Sequence, residues 1–148
     1  MRAYVIFTKK GFLVMLSLLF CMGFIFSEIY AVNNTGFNAK NNSDRVDFIK
    51  SLGCVLLSNQ PDTKTVTIPE VFYDVYNNYN DMQKSAGYDL SLYKGCQVTI
   101  YTYQINPVQN SAGESVVNLM VYNNKIIGGD ISSTALGGYM LPLKQVIT

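Results

Sequence analysis

The pattern of apolar and polar positions splits the chain near residue 32. Residues 11–27 (GFLVMLSLLFCMGFIFS) form an uncharged apolar run behind Lys9-Lys10. A helix rising about 1.5 Å per residue just crosses a hydrocarbon core at that length, and extension to Val32 makes the span comfortable. The lysines hold the short N-terminus on the cytoplasmic side. The expected arrangement is therefore a single-pass cell-membrane protein, anchored through residues 11–32 with an extracytoplasmic C-terminal domain. The same run also fits a cleaved signal peptide ending at Ile29-Tyr30-Ala31, which would leave the domain secreted.

Beyond the run, residues 33–42 (NNTGFNAKNN) are rich in asparagine and read as a flexible tether. Ser43 then suits a helix cap, with Val46, Phe48, Ile49 and Leu52 forming an apolar face and Gly53 a terminator. Two brief strands are expected at 54–57 and 65–67, around turn chemistry at 59–62. Thr67-Ile68-Pro69-Glu70 resembles a capping box and predicts the start of a longer helix. Its stripe is Ile68, Val71, Phe72, Val75, Tyr79, Met82 and Ala86, with Gly87 as the stop. Residues 97–105 (QVTIYTYQI) predict a strand with Val98 and Ile100 on one face and Tyr101, Tyr103 and Ile105 on the other. Residues 115–122 and 125–131 flank Asn123-Asn124 and predict a hairpin pairing Val121 with Ile126, Leu119 with Gly128 and Val117 with Asp130. The fold class is α+β: residues 43–148 form a small antiparallel sheet of about four to five strands packed with two helices.

Composition narrows the chemistry. The 148 residues are 49% hydrophobic and 14% charged, with no histidine and no tryptophan. Without histidine there is no Ser-His-Asp or Cys-His relay and no histidine zinc helix, so neither a metal nor a cofactor is expected. A net charge of +1 offers no footprint for nucleic acid. Cys54 and Cys96 are the two cysteines beyond the apolar run; an oxidising compartment permits a disulfide between them, and two small thiols are the alternative.

Gly128-Gly129-Asp130 begins like a Gly-Gly-Asp-Glu-Phe cyclase signature but continues with Ile131-Ser132. The glycines are better suited to a bulge or a close contact, with Asp130 capping a turn through Ser132, Ser133 and Thr134. Eleven tyrosines without acid-base equipment point to a contact surface, because tyrosine presents an apolar ring and a polar tip. Tyr73 lies off the helix stripe, and Tyr101 and Tyr103 share a strand face. These three are the candidates for exposure, with Asp89 and Asp130 as further binding candidates; Tyr101 and Tyr103 serve equally well as core. The leading expectation is a non-enzymatic binding or interaction module for a protein or cell-envelope component. One alternative is a small cell-wall hydrolase using Asp89 and Asp130 as a carboxylate pair, helped by Ser132, Ser133 or Thr134. Another is a self-assembling, homo-oligomeric domain joined through a sheet edge.

Val66-Thr67-Ile68-Pro69-Glu70, Val75-Tyr76-Asn77-Asn78-Tyr79-Asn80, Gln83-Lys84, Gly87-Tyr88-Asp89-Leu90, Tyr93-Lys94-Gly95, Tyr101-Thr102-Tyr103, Asn118-Leu119-Met120-Val121-Tyr122 and Ile126-Ile127-Gly128-Gly129-Asp130-Ile131 together resemble the pattern of domain of unknown function 4830. The resemblance runs from about residue 45 to 143. It implies a small protein of Clostridia and related Gram-positive bacteria with an N-terminal membrane segment, and no motif within it is a known active site. The chain departs from that pattern at Cys54, at Pro107 and near Leu141-Pro142.

Overall fold

The computed structural model describes residues 36–108 and 113–144. The expected membrane segment at 11–32 lies outside the described residues. Among the described residues, no helix is long and apolar enough to cross a membrane. The tether expected over 33–42 lies partly outside the described residues, and its last part is folded. Ala39 is buried, its N–H donates to the Asn124 carbonyl at 2.8 Å, and the Phe37 ring packs on Phe48 at 4.7 Å. Residues 37–41 are thus part of the fold.

Helix α1 (Asn42–Ser51) begins ahead of the expected Ser43 cap. The Asn41 side chain accepts from the Asp44 N–H at 2.8 Å, and the Asp44 carboxylate accepts from the Asn41 N–H at 3.4 Å. That reciprocal arrangement satisfies two amides at the helix start, and asparagine is as good a cap as serine. Val46, Phe48, Ile49 and Leu52 turn inward as their spacing requires.

Five strands form one antiparallel sheet in chain order: β1 (Asp62–Thr67), β2 (Gln97–Ile105), β3 (Ser115–Tyr122), β4 (Lys125–Ser133) and β5 (Met140–Pro142). With the two α-helices among the described residues, the architecture is α+β. Residues 54–57, expected as a strand, supply an isolated bridge between Leu56 and Ile105. The fifth strand instead comes from Met140–Pro142, too short and mixed to show a period.

The hairpin turn at Asn123-Asn124 holds both residues at positive φ, 46° and 60°, as a two-residue connection of this hand requires. Val121 pairs with Ile126 as expected, but the next pair is Met120 with Gly128. Ile127 is therefore an extra residue, a β-bulge. Its consequence runs down the strand: Leu119 pairs with Gly129, Asn118 with Asp130 and Val117 with Ile131. Side chains alternate across a sheet, so one inserted residue exchanges the faces of all that follow. The bulge turns Asp130 out of the core containing Val117 and puts Ile131 there instead.

Helix α2 (Asp74–Ser85) starts well past the expected capping box. Thr67 pairs with Gln97, and the Ile68 N–H and carbonyl bond to the Cys96 carbonyl and the Gly95 N–H at 3.0 and 2.9 Å. That backbone is committed to the sheet and cannot open a helix. Gly53 and Gly87 follow the two helices in left-handed conformation, as expected.

The sheet has two covered faces. On one, α1 buries Phe48, Ile49 and Leu52 with Tyr103, Ile105, Val117, Leu119 and Ile131. On the other, Ile68, Leu90, Val98, Met120 and Ile127 form a smaller cluster, ringed by partly buried Phe72, Tyr76, Tyr79, Tyr93 and Tyr122.

Candidate functional site

Tyr73 is the residue at the N-cap of α2 and makes no side-chain capping bond. It is 77% exposed, between Val71 at 57% and Val75 at 83%. The expected apolar stripe placed Val71 and Val75 against the sheet; the structure places them in solvent. What α2 buries fully is Asn80 and Gln83, with Tyr76 and Tyr79 partly covered beside them. The helix is rotated because polar partners await it on the sheet.

Those partners form two groups. The Gln83 side chain donates to the Gly129 carbonyl and accepts from the Gly129 N–H, both at 2.8 Å. Gly129 lies one residue beyond the last pairing of β4 with β5, so the amide acts as the missing strand residue. Gly128 makes room for the Gln83 and Leu90 side chains, and a Cβ on Gly129 would drive into the Asn118 carbonyl. Asp130, 4% exposed, accepts from Tyr79 Oη and Asn118 Nδ2, each at 2.9 Å. Asn118 also donates to Ser132 Oγ at 3.4 Å and accepts from Thr102 Oγ1 at 2.7 Å. The expected turn cap at Asp130 is thus corrected: Asp130 lies within β4, and the bulge aims it at α2. Burial raises the Tyr79 phenol far above its ordinary value, reinforced by the Asp130 carboxylate.

Asp89 sits elsewhere. Its carboxylate accepts from the Ser91 N–H at 2.9 Å, the Ser91 hydroxyl at 2.6 Å and Asn80 Nδ2 at 3.0 Å, capping a short 3-10 helix (Leu90–Tyr93). Partial burial works to raise its pKa, but these hydrogen bonds and the Lys84 charge outweigh it and hold the carboxyl below its ordinary value. Asp89 and Asp130 have separate partners: Asp89 engages Ser91 and Asn80, and Asp130 engages Tyr79 and Asn118. Ser133 Oγ accepts from the Ala135 N–H and Thr134 Oγ1 from the Glu114 N–H. What this arrangement does chemically is orient: each carboxylate is engaged by neutral donors of its own surroundings.

Tyr101 and Tyr103 lie on the α1 face. Tyr103 is fully buried, so the core reading is the one the fold adopts, and Tyr101 is half-buried. Arg45 joins them: its Nε donates to Tyr103 Oη at 2.9 Å, its Nη1 to the Ala39 carbonyl at 2.9 Å, and its Cζ lies 3.8 Å from the Tyr101 ring centre. Tyr103 in turn donates to Asn42 Oδ1 at 2.8 Å. Arg45 is only 7% exposed and has no carboxylate partner among the described residues. Burial raises the Tyr103 phenol despite the opposing pull of Arg45.

Cys54 and Cys96 are free thiols; Cys54 belongs to the α1-face core and Cys96 to the α2-face cluster, so the sheet separates them. The disulfide is not formed, and burial raises the Cys54 thiol further. Among the described residues no three side chains of metal-ligating type gather. A cavity of about 240 Å³ beside Leu57, Ile105, Pro107 and Glu114 includes none of the candidate tyrosines or aspartates. Arg45, Asn80, Gln83 and Asn118 were not legible as key residues, since in the sequence each reads as a polar side chain turned to solvent. The nearest signal was the Gly128-Gly129 pair, which marks a close approach without naming what approaches.

No curated protein and no solved structure matches the chain. The family comparison matches residues 45–131, more than half of the sequence and ending short of the expected 143. That span takes in most of α1, the α2-face cluster, the bulge and the Tyr79–Asp130 hydrogen bond, and the chain belongs to the family described as Domain of unknown function (DUF4830).

Proposed function

We propose that the domain is a non-enzymatic binding module for a protein or cell-envelope component, held at the outer face of the membrane by residues 11–32. The observation that carries this reading is the exposed Val71, Tyr73 and Val75 at the start of α2. An aromatic ring flanked by two exposed valines supplies contact area at low conformational cost, the chemistry that interfaces favour. Of the two candidate carboxylates, Asp130 is taken up in holding α2 on the sheet and Asp89 in capping the 3-10 helix. The test compares retention of the full chain and its Tyr73→Ser/Val75→Ser variant on purified envelope fractions. The expected result is loss of retention with an unchanged melting temperature. Undiminished retention would overturn the reading.

A further inference from the structure

The side of β4 away from β3 is closed by three unlike pieces: residues 37–39 at Asn124–Ile126, the Gln83 amide at Gly129, and β5 at 130–132. The first is the most exposed of the three. Its backbone makes two bonds to the hairpin, Ala39 N–H to the Asn124 carbonyl at 2.8 Å and Ile126 N–H to the Phe37 carbonyl at 2.9 Å. Phe37, Asn38 and Lys40 are exposed, and only Ala39 is buried. Side chains add to the attachment: the Phe37 ring packs on Phe48 at 4.7 Å, Asn38 Nδ2 donates to Asp44 Oδ2 at 2.6 Å, and Arg45 donates to the Ala39 carbonyl.

We infer that residues 37–41 are a detachable strap, kept in place by Arg45, whose release opens the edge of β4 and bares Arg45 and Tyr103 while the sheet stays folded. Segments with few buried apolar contacts and exposed backbone bonds open locally, below the free energy of global unfolding. Arg45 is suited to the keeper's role because its planar fork reaches Tyr103 Oη and the Ala39 carbonyl at once while stacking on Tyr101. Its charge is met by neutral oxygens and a ring rather than a carboxylate, so opening returns it to water with no ion pair to break. The strap follows directly on the chain leading from residues 11–32, so tension or binding on that leader acts first on this edge.

The test is amide hydrogen exchange of the full chain in detergent micelles, with Leu119 in the central strand as the reference. In the wild type, Ile126 should exchange about 100-fold faster than Leu119. Arg45→Lys keeps the charge but loses the fork, and should speed Ile126 by about tenfold, the worth of one charge-assisted hydrogen bond. Asn38→Ala, at an exposed position, should speed Ile126 as well and carries the test should Arg45→Lys fail to fold. In both variants Leu119 should change less than about twofold. Phenylglyoxal should then modify Arg45 faster in Asn38→Ala than in wild type, with Arg2 resolved on a separate peptide. Ile126 exchanging as slowly as Leu119, both amides accelerating together, or neither variant moving Ile126 would overturn the inference.

Discussion

The two faces of the sheet are held by different physics. On the α1 face, aliphatic and aromatic side chains pack at helical and strand spacing, and the buried charged group of that layer, Arg45, is tied to two tyrosines and a carbonyl. On the α2 face a thinner apolar cluster is supplemented by Gln83, Asn80, Tyr79, Asn118 and Asp130, joined in hydrogen-bonded pairs. The first kind of packing is non-directional and tolerates small shifts; the second fixes a register, because each amide must meet a particular backbone or carboxylate atom. A helix held by polar groups can leave valines outside, and α2 does so.

This contrast is broken most severely at Gly129. Its φ is +149° and a Cβ would meet the Asn118 carbonyl, so Gly129→Ala should lose about 4 kcal/mol or more in urea unfolding, among the largest single-residue effects. Ile49→Ala, at a fully buried position of the α1 face, should cost about 2–5 kcal/mol, the usual range for a core truncation. Gln83→Leu fills similar space but strands the Gly129 N–H and carbonyl, and should cost about 2–4 kcal/mol, at about 1–2 for each buried group left unmet. A loss under about 1 kcal/mol for Gln83→Leu would show that the α2 face, too, is held by apolar packing alone.

Two pH effects sharpen the comparison further. The Tyr79 and Tyr88 phenols are raised, Tyr88 to about 12 by burial. A raised folded pKa gives stability that is complete below the unfolded value near 10 and is lost as pH rises toward the folded one. The advantage of wild type over Tyr79→Phe in denaturant midpoint should therefore shrink between about pH 9.5 and 11.5. Asp89 is lowered, so its contribution is present above the unfolded value near 4 and lost as pH falls through the folded one. The gap between wild type and Asp89→Asn should close below about pH 4. The smallest effect belongs to Tyr73→Ser, which should move stability by less than about 0.5 kcal/mol because Tyr73 is exposed and uncapping.

The α1 face was largely legible. Val46, Phe48, Ile49 and Leu52 carry the helical period, β2 alternates Val98 and Ile100 against Tyr101, Tyr103 and Ile105, and Asn123-Asn124 marks the turn. The α2 face was not, for two physical reasons. Hydropathy assigns Asn80 and Gln83 outward and Val75 inward, whereas the backbone groups at Gly129 and Leu90 need amide partners, and Asn80 Oδ1 accepts from the Leu90 N–H at 2.7 Å. Gly128-Gly129 signals a bulge or close contact, but nothing in the strand says that the extra residue is Ile127, and that register alone decides that Asp130 meets Asn118 rather than Val117. Of the candidate residues, Tyr73 was placed correctly as exposed, while Tyr103 went to the core and Asp130 to a strand interior.

The proposal that the start of α2 is the domain's contact surface is tested most directly by photo-crosslinking in the native membrane. A benzophenone side chain is placed at position 73 in one variant and at position 47, an exposed site on α1, in another. A binding module that works through the α2 entry should give a defined covalent adduct from position 73 and none from position 47. No adduct at 73, or the same adducts from both positions, would contradict it.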